Sequence, residues 1–362
     1  MGAVGRVGWA AGLVLLAGCP KVQGAGGDAG AGASPPGKVA ILLPEAKTAR
    51  YESHDLPLLR AKLVSLGVPA ADILYMNANQ DVGAQRQQAE AALTNGATVL
   101  VLDPVDSDAA AAVADLAQAR GASVIAYDRL VKGSAAVRYY VSFDNEEVGR
   151  LQGRALLEAL QGTPDPAVVM VNGSPTDNNA AAFKRGAHAV LDGKVRVVKE
   201  YDTPDWSPDK AQLAVQQALT ALGNKVDGIY AANDGTAGGA IAAMKGAGLA
   251  VLPPVTGQDA ELAAVQRIVT GEQHVTVYKA IRPEAEAAAI LAHALLRGQP
   301  PPAGLVNGTT PNGKIDVPSV LLSPVAVTRA NVMDTVVKDR FWSVAEICAG
   351  EVAAACARAG LR

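Results

Sequence analysis

The fold is decided by four stretches: VVMVNGSPTDNN (Val168–Asn179), GIYAANDG (Gly228–Gly235), PVTGQD (Pro254–Asp259) and VTVYK (Val275–Lys279). In each of them an apolar run typical of a buried strand ends in bare polar residues. The segments between them carry helical periodicity. Strands that alternate with helices form parallel sheets, and ligands bind outside the carboxyl ends of such strands. The four stretches therefore predict an α/β fold with a crevice where the polar residues meet.

The same alternation of strand and helix begins earlier in the chain. Further strands are predicted at 38–43, 73–76, 98–102, 123–126 and 139–143. A second series then starts with a helix at 146–160. Two such series predict two doubly wound parallel-sheet lobes whose facing strand ends form the crevice. Beyond residue 297 the pattern loosens to one strand at 319–325 and a short helical tail.

Composition narrows the class of function. The chain has 362 residues, enough for two domains, and 49% of them are hydrophobic. Its net charge is −3, and such a charge does not favour the binding of nucleic acid. The polar residues at the strand ends contain no nucleophile with a base, no metal-ligand cluster and no phosphate-binding loop. We therefore expect a binding protein without a cofactor or a metal, and not an enzyme.

The N-terminal residues 1–19 are predicted to be an export signal. Arg6 precedes an apolar run, Val7–Leu16, that is too short to span a bilayer. The run ends in Leu16-Ala17-Gly18-Cys19, which resembles a bacterial lipobox and implies cleavage before Cys19 and lipid attachment to it. A plain secretory signal with an incidental cysteine is the alternative. Residues 20–37 are rich in Gly and Ala and are interpreted as a flexible tether.

Two further cysteines, Cys348 and Cys356, lie near the C-terminus. Export to an oxidising compartment favours a disulfide between them. In one unbroken helix their eight-residue separation would span ~12 Å, which is too far for a bridge. Gly350 could interrupt such a helix. The alternatives are thus a disulfide and two free buried thiols.

Eight sequence motifs carry a family resemblance. They are AYDR (Ala126–Arg129), SFDNEEVG (Ser142–Gly149), NGSPTDNNA (Asn172–Ala180), NDGTAGGAI (Asn233–Ile241), TGQDAEL (Thr256–Leu262), TVYKAI (Thr276–Ile281), DVPSVLL (Asp316–Leu322) and DTVVKDRFW (Asp334–Trp342). In order and spacing they resemble the type I periplasmic sugar-binding proteins, and within that family the members that bind D-xylose for ABC transporters. The resemblance covers nearly everything after Lys38.

The resemblance implies two lobes joined by a three-crossing hinge. The N-terminal lobe would comprise 38–145 and 283–308, the C-terminal lobe 146–282 and 309–330, and a C-terminal tail 331–362. We expect the crossings near 145–146, 280–282 and 308–312.

The resemblance also implies a set of sugar-binding residues. Carried over position by position, they are Arg50, Asp128, Arg129, Asp177, Asn179, Trp206, Asn233, Asp259 and Lys279, with Tyr51 beside the first arginine. The family often has tryptophan at the Tyr51 position; a tyrosine can still stack on a sugar, but the change leaves the choice of sugar open. Asp177, Asn178 and Asn179 precede a helix, so one of the three is also expected to cap it.

The chemistry of these residues suits a monosaccharide. A sugar hydroxyl both donates and accepts a hydrogen bond, so carboxylates, Arg and Lys together can satisfy it twice. The axial hydrogens of a pyranose form an apolar face on which an indole can stack. The alternatives are structural roles without a sugar: Asp128 and Arg129 could be a surface ion pair, and Trp206 could pack in the hydrophobic core.

We therefore expect a monomeric, lipid-anchored, periplasmic substrate-binding protein that captures a monosaccharide, with D-xylose favoured, for an ABC transporter permease. The alternative is a sugar-sensing lipoprotein that presents arabinose, glucose, galactose or ribose to a membrane receptor. A sugar-responsive transcription regulator would need an N-terminal helix-turn-helix, whereas this chain has a lipobox and a tether there. A glycosidase would need a carboxylic acid as proton donor, whereas Arg and Lys neighbours keep carboxylates ionised.

Overall fold

The computed structural model describes residues 1, 2, 5, 8 and 37–361. The proposed lipidation residue Cys19 and residues 20–36 of the predicted tether lie outside the described residues. Among the described residues, no helix is both long and apolar enough to cross a bilayer.

The first lobe is built on a sheet of seven strands: β1 (Lys38–Leu43), β2 (Ile73–Asn77), β3 (Ala97–Leu102), β4 (Ser123–Tyr127), β5 (Val137–Phe143), β10 (Gly308–Pro311) and β11 (Asp316–Leu322). Their order in the sheet is β10-β11-β5-β4-β3-β1-β2. All neighbours are parallel except β10 and β11. The central strands are continuous apolar runs because helices cover both of their faces.

Four helices accompany this sheet: α1 (Leu56–Ser65), α2 (Val82–Thr94), α3 (Ala111–Ala119) and α9 (Ile281–Leu296). Helix α9 packs on α1 and on β3, β4 and β5. A single π-helical turn, Tyr51–Asp55, leads into α1. The helical segment that continues into α1 therefore has an irregular first turn.

The second lobe is built on β6 (Ala167–Val171), β7 (Arg196–Tyr201) and β8 (Gly228–Ala231), in the order β7-β6-β8. Isolated parallel bridges extend the sheet from Ile229 to Val255 and from Gln258 to Val277 in β9 (Thr276–Tyr278). Strand β12 (Val325–Val327) then pairs antiparallel with β9. The strand expected at 254–256 is reduced to the single bridge at Val255.

Five helices cover this second sheet: α4 (Asn145–Ala159), α5 (Asn178–Leu191), α6 (Pro208–Leu222), α7 (Asp234–Gly246) and α8 (Leu262–Thr270). Side chains at the strand ends begin three of them. Asp144 caps α4, Asp177 caps α5, and Asn233 forms a capping box with Thr236 at α7. Asp177 and Asn233 therefore lie at the crevice edge of this sheet, whereas Asp144 follows β5 of the first sheet.

The chain passes between the lobes three times, which agrees with the fold expected from the resemblance. The first passage follows β5 at Asp144, and the second follows β9 at Lys279 and Ala280. The third was expected near 308–312, and this is wrong. Strand β11 pairs with β5, so the chain leaves the first sheet only at Ser323 and Pro324. The assignment of 309–330 to the C-terminal lobe is correspondingly wrong for 309–322.

The C-terminal segment contains two short helices, α10 (Val344–Ile347) and α11 (Ala353–Arg358), which contact α8. Cys348 and Cys356 form a disulfide with their Cα atoms 5.8 Å apart, and Gly350 lies between them at φ +63°. The segment also contacts the first lobe, because the Phe341 ring stacks on that of His54 with centroids 4.2 Å apart.

Candidate functional site

Asp128 and Arg129 directly follow β4 at the crevice edge of the first lobe. Asp128 has a left-handed backbone with φ +53°. Three donors hold its carbonyl oxygen: Ser142 Oγ at 2.7 Å, Tyr140 Oη at 3.1 Å, and Asn179 Nδ2 of the second lobe at 3.0 Å. A non-glycine residue adopts this conformation only where its surroundings fix it. The fold therefore determines where the Asp128 carboxylate points.

The Asp128 carboxylate is surrounded by donors. The Tyr51 hydroxyl donates to Oδ2 at 2.7 Å, while Arg50 Nη1 lies 3.5 Å and Lys279 Nζ 3.4 Å from Oδ1. Burial by itself raises the pKa of Asp128, but Arg50, Lys279 and Arg129 outweigh it, so the pKa falls well below its usual range. Asp128 is therefore an ionised acceptor at neutral pH.

Arg50 lies beside this carboxylate, with its Nη1 3.5 Å from Asp128 Oδ1 and 3.8 Å from Asp259 Oδ1 of the second lobe. Its guanidinium binds Asp55 at 2.6 Å and 3.0 Å, and Glu284 of α9 at 2.6 Å. It is 2% exposed. Arg50 therefore holds the Asp128 carboxylate in place, and its role as a direct sugar ligand stays a prediction.

Arg129 lies among three carboxylates. Its Nε is 2.9 Å from Asp177 Oδ2 in the second lobe and 3.6 Å from Asp103, and its Nη2 is 3.7 Å from Glu45. Nη1 donates to the carbonyl of Pro104 at 3.2 Å. Burial raises the pKa of both Asp103 and Asp177, and Arg129 partly offsets this. The ion pair with Asp177 connects the two lobes directly.

Asp177 and Asn179 begin α5 on the opposite wall. Asp177 Oδ1 accepts the Asn179 backbone N–H at 2.8 Å, and Oδ2 accepts the Trp206 Nε1–H at 3.1 Å. The Asn179 side chain accepts a bond from Asn145 at 2.8 Å while it donates to the first lobe through the Asp128 carbonyl. Asp177 is thus the helix cap, as expected for one of the three residues, and it also lines the cleft.

Trp206 is held in one orientation. Its backbone is left-handed at φ +52°, and its side chain is 4% exposed. The indole packs against Gly173, where an added Cβ would overlap the six-membered ring. Phe183 approaches it edge-on with the ring centroids 6.3 Å apart. The backbone approach of Gly173 therefore fixes the aromatic surface of the second lobe.

Asp259, Lys279 and Asn233 complete the second-lobe wall. Asp259 has φ +96°, and its Oδ1 lies 3.2 Å from Lys279 Nζ. Burial lowers the pKa of Lys279, but Asp128 and Asp259 more than compensate and raise it. Asn233 Oδ1 accepts the Thr236 N–H at 2.8 Å as the cap of α7. Its amide NH₂ is the part left to face the cleft.

Two carboxyl groups near Asp259 interact with each other: Asp234, which is fully buried, and Glu261, which is half-buried. Asp234 accepts bonds from Thr276 Oγ1 at 2.8 Å, Gln273 Nε2 at 2.8 Å and the Glu261 N–H at 3.0 Å. Burial raises the pKa of Asp234 to about 7, even though Arg267 lowers it. Burial and the charge of Asp234 raise the pKa of Glu261 to about 8. Burial therefore favours the protonated form of both carboxyl groups.

A small cleft lies between the lobes, and residues of both lobes line it. Nine of the ten predicted sugar-binding residues line it, all except Arg50. They are Tyr51, Asp128, Arg129, Asp177, Asn179, Trp206, Asn233, Asp259 and Lys279. The sequence interpretation missed Thr48, Phe183 and Gln258, which also line it. Gln258 precedes Asp259 at the same strand end, and Phe183 lies one helical turn after Asn179. These two spacings could have identified both residues as part of the cleft from the sequence.

The arrangement can bind a polyhydroxylated molecule. It offers carboxylate acceptors, cationic donors, amides and an indole, all buried between two walls. Among the described residues, no group of three or more His, Cys, Asp or Glu side chains is arranged to hold a metal ion. The chemistry of the cleft is that of reversible hydrogen bonding.

Comparison with known proteins places this geometry among binding proteins. Residues 40–300 match a family model described as a periplasmic binding protein domain. The chain is 38% identical over 315 residues to the D-xylose-binding periplasmic protein of Escherichia coli, covering 86% of this chain and 92% of that protein. It is 33% identical to the multiple sugar-binding periplasmic receptor ChvE of Rhizobium radiobacter, with the same two coverages.

Solved structures share the architecture. A carbohydrate transporter solute binding protein from Chloroflexus aurantiacus, in complex with D-glucose, superposes with a TM-score of 0.78 at 33% identity. The match covers 85% of this chain and 97% of that one. An ABC transporter solute binding protein from Clostridium phytofermentans with bound β-D-glucose gives the same TM-score at 30% identity, covering 85% and 99%.

Proposed function

The chain belongs to the periplasmic binding protein family, and on that premise we propose that it captures a monosaccharide, D-xylose above all, and delivers it to an ABC transporter. The observation that carries the proposal is the cleft itself, where Asp128 and Arg129 of one lobe face Asp177 and Asp259 of the other. A ligand bonded to both walls favours the closed arrangement of the lobes over an open one.

The donors and acceptors of the cleft support a neutral sugar. Asp128 accepts hydrogen bonds while Arg129 and Lys279 donate them, so each hydroxyl of a pyranose can be satisfied twice. Trp206 supplies an aromatic surface for the apolar face of the ring. Reversible capture without chemistry fits this set, because the cationic neighbours of Asp128 hold it ionised and so unable to serve as a proton donor.

The similarity to relatives named for D-xylose supports that sugar. Two of them, from Escherichia coli and Haemophilus influenzae, are each 38% identical to this chain. A site built to bond particular hydroxyls discriminates against sugars that leave its buried groups unpaired. We therefore place D-xylose ahead of arabinose, ribose, glucose and galactose.

A second role is sugar sensing, in which the closed protein is presented to a membrane receptor. The observation that favours it is the 33% identity to a relative named as a multiple sugar-binding receptor. In either role we propose that the protein works in the periplasm as a monomer, since one chain supplies both walls of the cleft. We also propose that lipid on Cys19 anchors it to the membrane.

Titration calorimetry with a panel of pentoses and hexoses tests the proposal. We expect D-xylose to bind most tightly, to be recovered unchanged, and to reduce the radius of gyration in small-angle scattering. If another monosaccharide binds in its place, the sugar is wrong and the capture function stands. If none of the panel binds, or if the sugar is converted, the proposed function is wrong.

A further inference from the structure

Besides the sugar cleft, a second group of contacts joins the two lobes. The first-lobe loops that follow β3 and β4 meet the second-lobe segment 174–178. The Ser107 N–H donates to the Thr176 carbonyl at 3.0 Å, and Thr176 Oγ1 donates to the Val105 carbonyl at 3.4 Å. Ser107, Thr176 and Asn178 do not line the cleft. This contact is therefore separate from the residues that would touch a sugar.

The side chain of Asn178 is at the centre of the contact. Its Oδ1 accepts the Leu130 N–H at 2.7 Å and the Ser107 hydroxyl at 3.2 Å. The same hydroxyl accepts the Asn178 backbone N–H at 3.2 Å. Asn178 Nδ2 donates to Asn179 Oδ1 at 3.2 Å. One second-lobe side chain thus binds two first-lobe loops, which are themselves joined by a bond from the Lys132 N–H to the Ser107 carbonyl at 2.8 Å.

Burial makes these hydrogen bonds important for closure. Ser107 is 2% exposed and Leu130 is 4% exposed. A buried backbone N–H without a partner is strongly unfavourable. In the closed arrangement the Leu130 N–H depends on Asn178 Oδ1, whereas separated lobes would expose it to water. The bond therefore distinguishes the closed arrangement from an open one.

We propose that Asn178, Ser107 and Leu130 form an inter-lobe latch that holds the closed cleft without touching the sugar and so sets the rate at which the sugar leaves. Asn178 is a positioning residue in this scheme. It also contacts the cleft wall through Asn179, whose amide binds the Asp128 carbonyl. The identity of the ligand in this proposal rests on the proposed function. The latch itself rests only on the contacts between the lobes.

The latch predicts a specific kinetic signature. A sugar meets the open protein, in which the latch is not formed, so its association rate does not depend on Asn178. Release requires the latch to break, so its rate does. In stopped-flow experiments, D-xylose should dissociate from Asn178→Ala about fivefold to fiftyfold faster than from the parent, because two or three hydrogen bonds are lost. The association rate should stay within about twofold of the parent.

Two further variants sharpen the kinetic test. Ser107→Ala should also speed dissociation of the sugar. In the double variant the acceleration should be less than the product of the two single effects, because the two side chains bind each other. Asn307→Ala is the matched control: its side chain makes two backbone bonds to Leu321, both inside the first-lobe sheet. The latch would be overturned if the sugar left Asn178→Ala at the same rate as the parent, or if Asn307→Ala accelerated dissociation as much as Asn178→Ala does.

Hydrogen exchange gives a readout that needs no particular sugar. Peptides containing Leu130 should exchange faster in Asn178→Ala than in the parent, with and without added D-xylose, while Asn307→Ala should match the parent. If the parent binds no sugar, the proposed function fails and exchange alone decides the latch. Equal exchange of these peptides in parent and Asn178→Ala under both conditions overturns it.

Discussion

Arg129 and Asp177 form a buried ion pair across the cleft, with Nε 2.9 Å from Oδ2. One side chain follows a strand of the first lobe, and the other caps a helix of the second. Asp103 and Glu45 stand within 3.7 Å of the same guanidinium. The Arg129 guanidinium therefore stabilises the negative charges of three buried carboxylates. Its removal should affect both walls of the cleft.

Arg129→Ala should weaken sugar binding by about tenfold to a few hundredfold, since hydrogen bonds to charged groups contribute ~1.5–3 kcal/mol and 1.4 kcal/mol is a factor of ten. Calorimetry measures it, and a thermal melt confirms folding. Arg196→Ala is the matched control, because Arg196 pairs with Asp165 at the exposed surface. A folded Arg129→Ala protein with parental affinity would refute the site assignment.

Tyr51→Phe should weaken binding by about threefold to tenfold, because Asp128 loses one of the donors that fix its carboxylate. The ring and its packing remain, so the thermal midpoint should change little. Tyr75→Phe removes an exposed hydroxyl bonded to Glu52 and serves as the control. Unchanged affinity in Tyr51→Phe would mean that the hydroxyl does not position Asp128.

Gly173→Ala should weaken binding by at least about tenfold, because the added methyl group displaces the Trp206 ring from its place in the cleft wall. Calorimetry and tryptophan fluorescence report the displacement. In a Trp206→Ala background the same change should add little further loss. Gly246→Ala, where a Cβ meets no atom within 4 Å, should retain parental binding. Parental affinity of Gly173→Ala would contradict the proposed packing role.

Stability should fall as pH rises from about 4.5 to about 8, in part because of Glu261. Burial raises its folded pKa to about 8 from 4.5. The folded state thus binds more protons than the unfolded state between these values, so this contribution is complete below the lower pKa and lost above the higher one. Denaturant unfolding at several pH values measures it.

Glu261→Gln should flatten this pH dependence, since the amide keeps the shape of the carboxyl group and cannot ionise. Glu272→Gln, at an exposed ion pair with Lys245, should leave the slope as in the parent. An identical slope in Glu261→Gln and the parent would assign the pH dependence to other groups.

Cys19→Ala should abolish labelling of the protein with a radioactive fatty acid in cells, because the lipid is attached to that sulfur in the proposed anchor. Cys348→Ala should keep the label, since its sulfur is in the disulfide. Equal labelling of Cys19→Ala and the parent would refute lipid attachment at this residue.

The sequence was sufficient to predict most strands because a buried parallel strand is a continuous apolar run, as in β1 and β6. It could not predict the third passage between the lobes. Residues 319–325 look like one strand, and only pairing with β5, about 180 residues earlier in the chain, shows that the strand ends at Leu322. Such non-local pairing leaves no local signal.

The candidate site was predictable to the extent that it lies at strand ends. Asp128 directly follows an apolar run, and Asp259 follows one after two intervening residues, so their place in the crevice follows from topology. The contacts of Arg50 were not predictable in the same way. Its partner Glu284 lies 234 residues away on α9, and only the folded structure shows that the guanidinium faces that carboxylate.

The left-handed or otherwise positive backbone angles at Asp128, Trp206 and Asp259 restrict how a new sugar preference could arise. Asparagine and glycine accept such angles readily, whereas valine, isoleucine and threonine are strained by them. A combinatorial library randomised at 128 and 259 should return mainly Asp, Asn and Gly, whatever sugar is used for selection. Evolution of a new preference would then proceed through the neighbouring positions 51, 183 and 258.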